Sequence, residues 1–254
     1  KELQSGMPKA RQPKLDFETS VIAGRGLEAM SQGVKDWGNA AAMNARCFGV
    51  EKPPSICYNG GTCCERWKGN MEFRVYRQWQ ELSPAVGAGV EALLEEAFPA
   101  EERRDMEEVR QLLGKTSLEL LTLEEEDRVQ GLLMLWNLEG LMFLENFAVD
   151  ACLRGRGIGA RMLEYVWEHW KKPMLLEVEP PEGDMQRRRI GFYERNGFCL
   201  NAYPYQMPCL HGDGPALPLL LMSRPAPLTD QEARQAAERL YREVYAGKRR
   251  PELP

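Results

Sequence analysis

The stretch VDACLRGRGIGARML, residues 149–163, has the composition of a phosphate-binding turn. Gly157 and Gly159 let the backbone approach a phosphate group without a Cβ atom in the way. Helix-forming residues follow the turn, so the free N–H groups and the positive dipole end of a helix would face the anion. Arg154 and Arg156 can neutralise the phosphate charge. The stretch therefore predicts a site for a phosphorylated cofactor.

The elements that position this turn can be read from hydrophobic periodicity. From Met71 onward the pattern predicts the order β-α-α-β-β-β-α-β-α-β-β-α. Residues 117–150 read as three strands joined by the short connections EEED and NLEG, which favours an antiparallel meander. Ser83 and Pro84 predict the start of the first helix, and Thr229 to Glu232 has the spacing of a capping box at the start of the last.

A dinucleotide site is one interpretation of the turn. Gly155, Gly157 and Ala160 satisfy G-x-G-x-x-G/A, and Glu177 and Glu179 end the next strand about where a ribose-binding acid would lie. However, DACLR separates the preceding strand from the first glycine, and the turn follows an antiparallel meander. The remainder of the chain does not continue as repeated βαβ units. The dinucleotide interpretation is therefore the weaker one.

The turn also contains Arg154-x-x-Gly157-x-Gly159 followed by a helix. This pattern resembles the R/Q-x-x-G-x-G/A signature of the GNAT superfamily of N-acetyltransferases, and LENFAVD, LEVEPPE, RIGFYERNGF and LPLLLMS resemble further phrases of that family in the same order. The resemblance implies an α/β fold of the α+β type, with a central mixed, mostly antiparallel sheet flanked by helices. The implied domain spans residues 71–247, after an N-terminal extension of unknown role (residues 1–70) and before a tail (248–254).

The resemblance implies acetyl-CoA as co-substrate and direct acetyl transfer to a primary amine of a small molecule or peptide. The pantetheine arm would follow the exposed backbone of the strand before the turn. The expected cofactor-binding residues are Phe147, Ala148, Val149, Arg154, Gly155, Arg156, Gly157, Ile158, Gly159 and Ala160. A non-catalytic acyl-CoA-binding sensor is the alternative from a different functional class.

The resemblance also implies catalytic residues. Glu145 lies on the strand leading into the turn, where this family often places its general base, and alternation predicts that it shares a face with Phe147 and Val149. Glu177 is the second candidate for the base. Tyr193 occupies the position of the tyrosine that commonly donates a proton to the leaving thiolate.

The acceptor amine is less well specified by the sequence. Glu145, Glu177 and Glu179 would create a negatively charged mouth that prefers cationic amines, and Tyr203 and Tyr205 would line it. Where many relatives have an asparagine near the start of the helix that carries the tyrosine, this chain has Gln186 and Arg187, so that cofactor contact is not predicted.

Composition limits the partners. The net charge is −5 with 43% hydrophobic residues, which predicts a globular domain and argues against a nucleic-acid partner. No apolar run reaches the length of a membrane span, and the N-terminal residues lack an apolar signal region.

The seven cysteines, an odd number, predict reduced thiols in the cytoplasm. No C-x-x-C spacing occurs among Cys47, Cys57, Cys63 and Cys64, so no metal site is expected; a homodimer is left open.

Overall fold

The computed structural model describes residues 71–251, and the predicted order of elements from Met71 is confirmed. In chain order the elements are β1 (Glu72–Tyr76), α1 (Pro84–Ala97), α2 (Met106–Leu112), β2 (Leu118–Glu125), β3 (Arg128–Leu138), β4 (Leu141–Val149), α3 (Ile158–Trp170), β5 (Met174–Val178), α4 (Asp184–Arg195), β6 (Cys199–Met207), β7 (Leu217–Arg224) and α5 (Asp230–Arg239). A 3₁₀ turn, Ala100–Glu102, precedes α2, and a π-helical turn, Leu240–Val244, continues α5. Cys47, Cys57, Cys63 and Cys64, where no metal site is expected, lie outside the described residues.

The seven strands form one sheet in the order β1-β2-β3-β4-β5-β7-β6. Strands β2 to β4 are the predicted antiparallel meander, β1 pairs antiparallel with β2, and β5, β7 and β6 also pair antiparallel with one another. Only β4 and β5 are parallel, because α3 carries the chain back between them. The sheet is thus mixed and mostly antiparallel, as expected.

Helices cover both faces of the sheet, and each face has its own hydrophobic cluster. Val86 of α1, Val109 of α2 and Ala237 of α5 belong to one cluster, and we call this side of the sheet the α1 face. Met162 of α3 and Ile190 of α4 belong to the other, on the α3 face. The central strands are therefore buried on both sides, which explains why they read as nearly continuous apolar runs.

Local capping signals set several of the helix ends. The Ser83 side chain accepts a hydrogen bond from the backbone N–H of Val86, 3.2 Å away, and Thr229 forms the predicted capping box. Gly183 is the N-cap of α4, and Asp184 is the first residue of that helix. Within residues 71–251, no helix is both long and apolar enough to cross a membrane.

Strands β4 and β5 separate after a short stretch of pairing. Their register covers only Met142–Leu144 opposite Met174–Leu176. Beyond this point β4 stays paired to β3 as far as Val149, whereas β5 stays paired to β7. The edge of β4 from Glu145 onward is therefore not covered by β5, and a gap opens through the sheet.

A β-bulge lies at this point of divergence. Leu135 of β3 pairs with Leu144, and the preceding residue, Met134, pairs with Asn146. Glu145 therefore has no partner on β3 in this register. The extra residue leaves Glu145 and Asn146 both directed to the α1 face, whereas Phe147 packs against the cluster on the α3 face. The expectation that Glu145 shares a face with Phe147 and Val149 is wrong, because simple alternation does not continue through a bulge.

Candidate active site at the divergence of two strands

A cleft of about 320 Å³ occupies the gap between β4 and β5. The β4 backbone from Leu144 to Val149 forms one wall, and Leu176 to Glu179 form the facing wall. Its charged lining residues are Glu96, Glu102, Glu145, Arg154, Glu177, Glu179 and Arg189. A separate depression of about 430 Å³ lies at the β1 edge, away from the glycine turn, around Arg74, Tyr76 and Asp127. The cleft is the place where the side chains that could take part in a reaction lie together.

The glycine turn leads from β4 into α3 beside the cleft. Gly155 and Gly157 have φ angles of +77° and +76°, in the left-handed region that favours glycine. Nothing lies within 4 Å of the place a Cβ would take at either residue, so the surface there is open to a ligand. Gly157 is the N-cap of α3, and no side chain caps that helix. The first N–H groups of α3 are therefore available to an anion.

Gly159 has a packing role in addition to its place in the motif. A Cβ at this position would lie 3.1 Å from Phe192 and 3.3 Å from Phe147. The absence of a side chain thus lets the first turn of α3 pack closely against β4 and α4.

The two arginines of the turn are exposed, and one is already positioned. The Arg154 Nε donates to the carbonyl oxygen of Val149 at 3.0 Å, and its guanidinium lies 3.9 Å from Glu96. Arg156 is exposed next to the two left-handed glycines. A cluster of N–H groups and guanidinium groups, open to solvent, fits the pyrophosphate of a nucleotide cofactor.

Glu177 is half-buried on β5, on the α1 face of the cleft. The hydroxyls of Tyr205 and Tyr245 both donate to its carboxylate; that of Tyr245 lies 3.0 Å from Oε1 and 2.9 Å from Oε2. Burial raises the pKa of Glu177 to about 7, because it outweighs the two tyrosine hydrogen bonds that stabilise the ionised form. Near neutral pH this carboxylate can both accept and release a proton.

Glu145 is held in a buried ion pair. Its Oε1 accepts from Arg104 Nε at 2.8 Å and its Oε2 accepts from Trp136 Nε1 at 2.7 Å. The same guanidinium donates to Glu108 at 2.6 Å and to the carbonyl oxygen of Val244 at 2.8 Å. Both carboxylate oxygens of Glu145 are therefore engaged, and Arg104 ties the start of α2 to the chain after α5.

Tyr193 lines the cleft from α4, on the face opposite to Glu177. Its ring packs against Phe192 and Phe198, and burial raises the pKa of its hydroxyl to about 12. Within residues 71–251, no group hydrogen-bonds to that hydroxyl. It is therefore protonated at neutral pH and free to donate a hydrogen bond to a group in the cleft.

Of the remaining predicted site residues, Glu179 lies in the wall of the cleft, whereas Tyr203 and Tyr205 do not. Glu179 lines the cleft and accepts from Gln186 at 3.3 Å and from Arg189. Tyr205 is buried behind Glu177 and stacks on Tyr241, and neither Tyr205 nor Tyr203 is part of the cleft wall. The expectation that these two tyrosines line the mouth is wrong, because their side chains pack into the cluster of the α1 face.

The sequence interpretation missed Arg104, Tyr245, Asn146 and Glu102. Arg104 and Tyr245 lie 41 and 68 residues away from the carboxylates that they contact. No local pattern marks either residue. Asn146 could have been noticed as a polar residue inside an apolar strand that leads into the turn.

A family model and a solved structure show the family of this chain. The model of an acetyltransferase (GNAT) domain matches residues 116–199. A solved structure from Bacteroides thetaiotaomicron, assigned to the GNAT acetyltransferases, is 30% identical, with 69% of this chain and 98% of that chain covered and a TM-score of 0.63. A GNAT acetyltransferase from Elizabethkingia anophelis with acetyl-CoA bound is 17% identical, with 61% and 98% covered and a TM-score of 0.43. No curated protein matches the chain.

Proposed function

Because the chain belongs to the GNAT family of acetyltransferases, we propose that it transfers the acetyl group of acetyl-CoA directly to a primary amine, with Glu177 as the general base. One observation carries this proposal: a carboxylate with a pKa of about 7 and a protonated tyrosine, Tyr193, line opposite faces of the cleft between β4 and β5. A thioester in the gap would have a proton acceptor on one side and a proton donor on the other. The acceptor is a small molecule or a peptide.

The residues around the turn fit coenzyme A. The uncapped N-terminus of α3, together with Arg154 and Arg156, would hold the pyrophosphate. The uncovered backbone edge of β4 at Phe147, Ala148 and Val149 would receive the pantetheine arm. Acetyl-CoA supplies the acetyl thioester that the amine attacks.

Glu177 prepares the acceptor. An amine is mostly protonated at neutral pH and must lose a proton before it can attack. A carboxylate with a pKa of about 7 is close to the ideal for this step, since about half of it is ionised at neutral pH and it releases the accepted proton easily afterwards. Because Glu177 faces the α1 side of the sheet, the acceptor enters from that side.

Glu145 is a positioning residue in this proposal. The sequence had favoured Glu145 over Glu177 as the general base, so the proposal reverses the order of these two candidates. Its two oxygens are already bonded to Arg104 and Trp136, so it has little capacity left for an incoming proton. Its negative charge raises the pKa of Glu177, whereas Arg104 lowers it. The ion pair therefore helps to hold the pKa of Glu177 near neutrality.

Tyr193 assists the departure of the thiolate. Its hydroxyl faces the cleft from the α3 side and keeps its proton, since burial raises its pKa. A hydrogen bond from this hydroxyl to the sulfur stabilises the negative charge that develops when the thioester collapses.

Ligand binding tests the cofactor assignment directly. We expect CoA and acetyl-CoA to raise the midpoint of thermal unfolding, since a ligand at 100 times its Kd stabilises the native state by about 2.7 kcal/mol. NADH, run in parallel, is expected to leave the midpoint unchanged. Stabilisation by NADH alone would instead support the dinucleotide interpretation of the turn.

Removal of one tyrosine hydroxyl should change the pH dependence of the reaction. In Tyr245→Phe the ionised form of Glu177 loses a hydrogen bond that lowers its pKa, so that pKa should rise above 7. The acidic limb of the kcat/KM profile is expected to move to higher pH by about one unit, with rates near the wild-type value on the alkaline plateau. Tyr241→Phe is the matched control, because its hydroxyl donates to the carbonyl oxygen of Gln206. An unmoved acidic limb in Tyr245→Phe would contradict the role given to Glu177.

A further inference from the structure

Asn146 has an unused hydrogen-bond acceptor at the cleft. This residue of the bulge is only 2% exposed, and it lines the cleft. Its Nδ2 donates to the carbonyl oxygen of Glu102 at 3.4 Å, which fixes the orientation of the amide, since a carbonyl group can bond only to the N–H₂ end. The Oδ1 atom is buried and has no hydrogen-bond partner within residues 71–251. A buried oxygen without a partner is costly, and a ligand N–H group would relieve that cost.

Glu102 adds an unbalanced negative charge beside this amide. Burial raises the pKa of Glu102, and the neighbouring Glu179 raises it further, whereas Arg189 lowers it. Arg189 already donates to Glu179, and no group within the described part of the chain hydrogen-bonds to the Glu102 carboxylate. Two carboxylates thus share one guanidinium, which leaves an excess of one negative charge at this side of the cleft.

We propose that the acceptor carries a second cationic amine, which binds to an acceptor subsite made of Glu102, Asn146 and Glu179 while the reacting amine lies at Glu177. An ammonium group has three N–H donors and no acceptor, which matches two carboxylates and an amide oxygen. Glu179 follows the last residue of β5, and two residues of extended chain span about 6.6 Å, so the step from Glu177 to Glu179 is close to the length of a four-carbon diamine. This inference rests on the proposed function, and it narrows the substrate class from amines to diamines.

Binding of three four-carbon amines to the CoA-saturated protein tests the inference. The probes are butylamine, 1,4-diaminobutane and 4-aminobutanoate, and the readout is the Kd from titration calorimetry. The diamine is expected to bind about tenfold more tightly than butylamine, more than the factor of two that its equivalent ends provide. The carboxylate of 4-aminobutanoate should be repelled by Glu102 and Glu179, so this amine is expected to bind most weakly.

Variants assign the effect to the acceptor subsite. In Glu102→Gln the diamine should lose about tenfold in affinity and become similar to butylamine, whereas CoA affinity is unchanged. Glu101→Gln is the matched control, because it removes the same charge from the preceding, exposed residue of the same turn. Asn146→Leu should also weaken the diamine selectively, since it removes the free amide oxygen.

The outcomes separate this inference from the proposed function. Equal affinities for the three amines on the CoA-bound protein would overturn the acceptor subsite and leave acetyl transfer standing. A loss of diamine affinity in Glu101→Gln equal to that in Glu102→Gln would also overturn it, because the effect would then be general electrostatics. If CoA itself does not bind, the proposed function fails, and the subsite fails with it.

Discussion

Replacing Glu177 by glutamine is expected to lower kcat/KM for acetyl transfer by about 10² to 10⁴-fold, the usual contribution of a general base. The amide is nearly isosteric and can still accept hydrogen bonds from Tyr205 and Tyr245, so the cleft should keep its shape. What is lost is the group that accepts the proton of the amine. Steady-state rates with saturating acetyl-CoA, together with the Kd for CoA, are the measurements, and the Kd should not change.

Stability provides an internal check on the same variant. Because the pKa of Glu177 is about 7 in the folded protein and near 4.3 in an unfolded chain, ionisation of this carboxyl lowers stability as the pH rises between these two values, and the full cost is present above pH 7. Glu177→Gln should therefore unfold at a higher temperature than wild type at pH 8, and the advantage should disappear as the pH falls below 5. Lower stability at pH 8 would show that burial does not raise this pKa.

The control for catalysis is Glu168→Gln, which removes an exposed carboxylate from the outer side of α3 and should keep the wild-type rate. Full activity in Glu177→Gln would exclude Glu177 as the base. If the wild-type protein binds CoA but acetylates no amine, and neither Glu177→Gln nor Tyr193→Phe alters its behaviour, the acyl-CoA-binding sensor becomes the better description.

The largest loss of stability is expected for Arg104→Met. This side chain is 2% exposed, and its guanidinium bonds to Glu145, Glu108 and the carbonyl oxygen of Val244. Methionine replaces the aliphatic part but leaves Glu145 as a buried charge without a cation. Breaking a buried ion pair by removing one partner typically costs about 3 to 5 kcal/mol, which should be seen as a lower midpoint in urea.

Two further variants test whether the broken ion pair causes the loss of stability in Arg104→Met. Arg104→Met combined with Glu145→Gln removes both charges and should recover part of the loss, since the unpaired charge is then absent. Arg110→Met is the matched control: that arginine pairs with Glu91 near the surface and is 37% exposed in its side chain, so about 1 kcal/mol or less is expected. Equal losses for the Arg104 single and double variants would indicate that packing, and not the ion pair, gives Arg104 its effect.

The sequence by itself determined the elements and the glycine turn. Alternating and helical periodicities from Met71 gave the order of strands and helices, because each period reflects which side of an element is buried. Ser83 and Thr229 marked helix starts through a local side-chain hydrogen bond, which involves residues only three positions apart. The glycine turn could be recognised because it is also a local feature: its left-handed backbone is a property of the turn itself.

Only the tertiary structure decided how the surroundings of Glu145 and Glu177 differ. The bulge at Glu145 depends on the register between two strands, and alternation within one strand cannot reveal it. The pKa of Glu177 depends on burial by elements from the whole domain and on Tyr245, which lies 68 residues further along the chain. Arg104 reaches Glu145 and Val244 from a connecting segment without a pattern of its own. Local patterns report local geometry, whereas the charge state of a buried group is set by everything that packs around it.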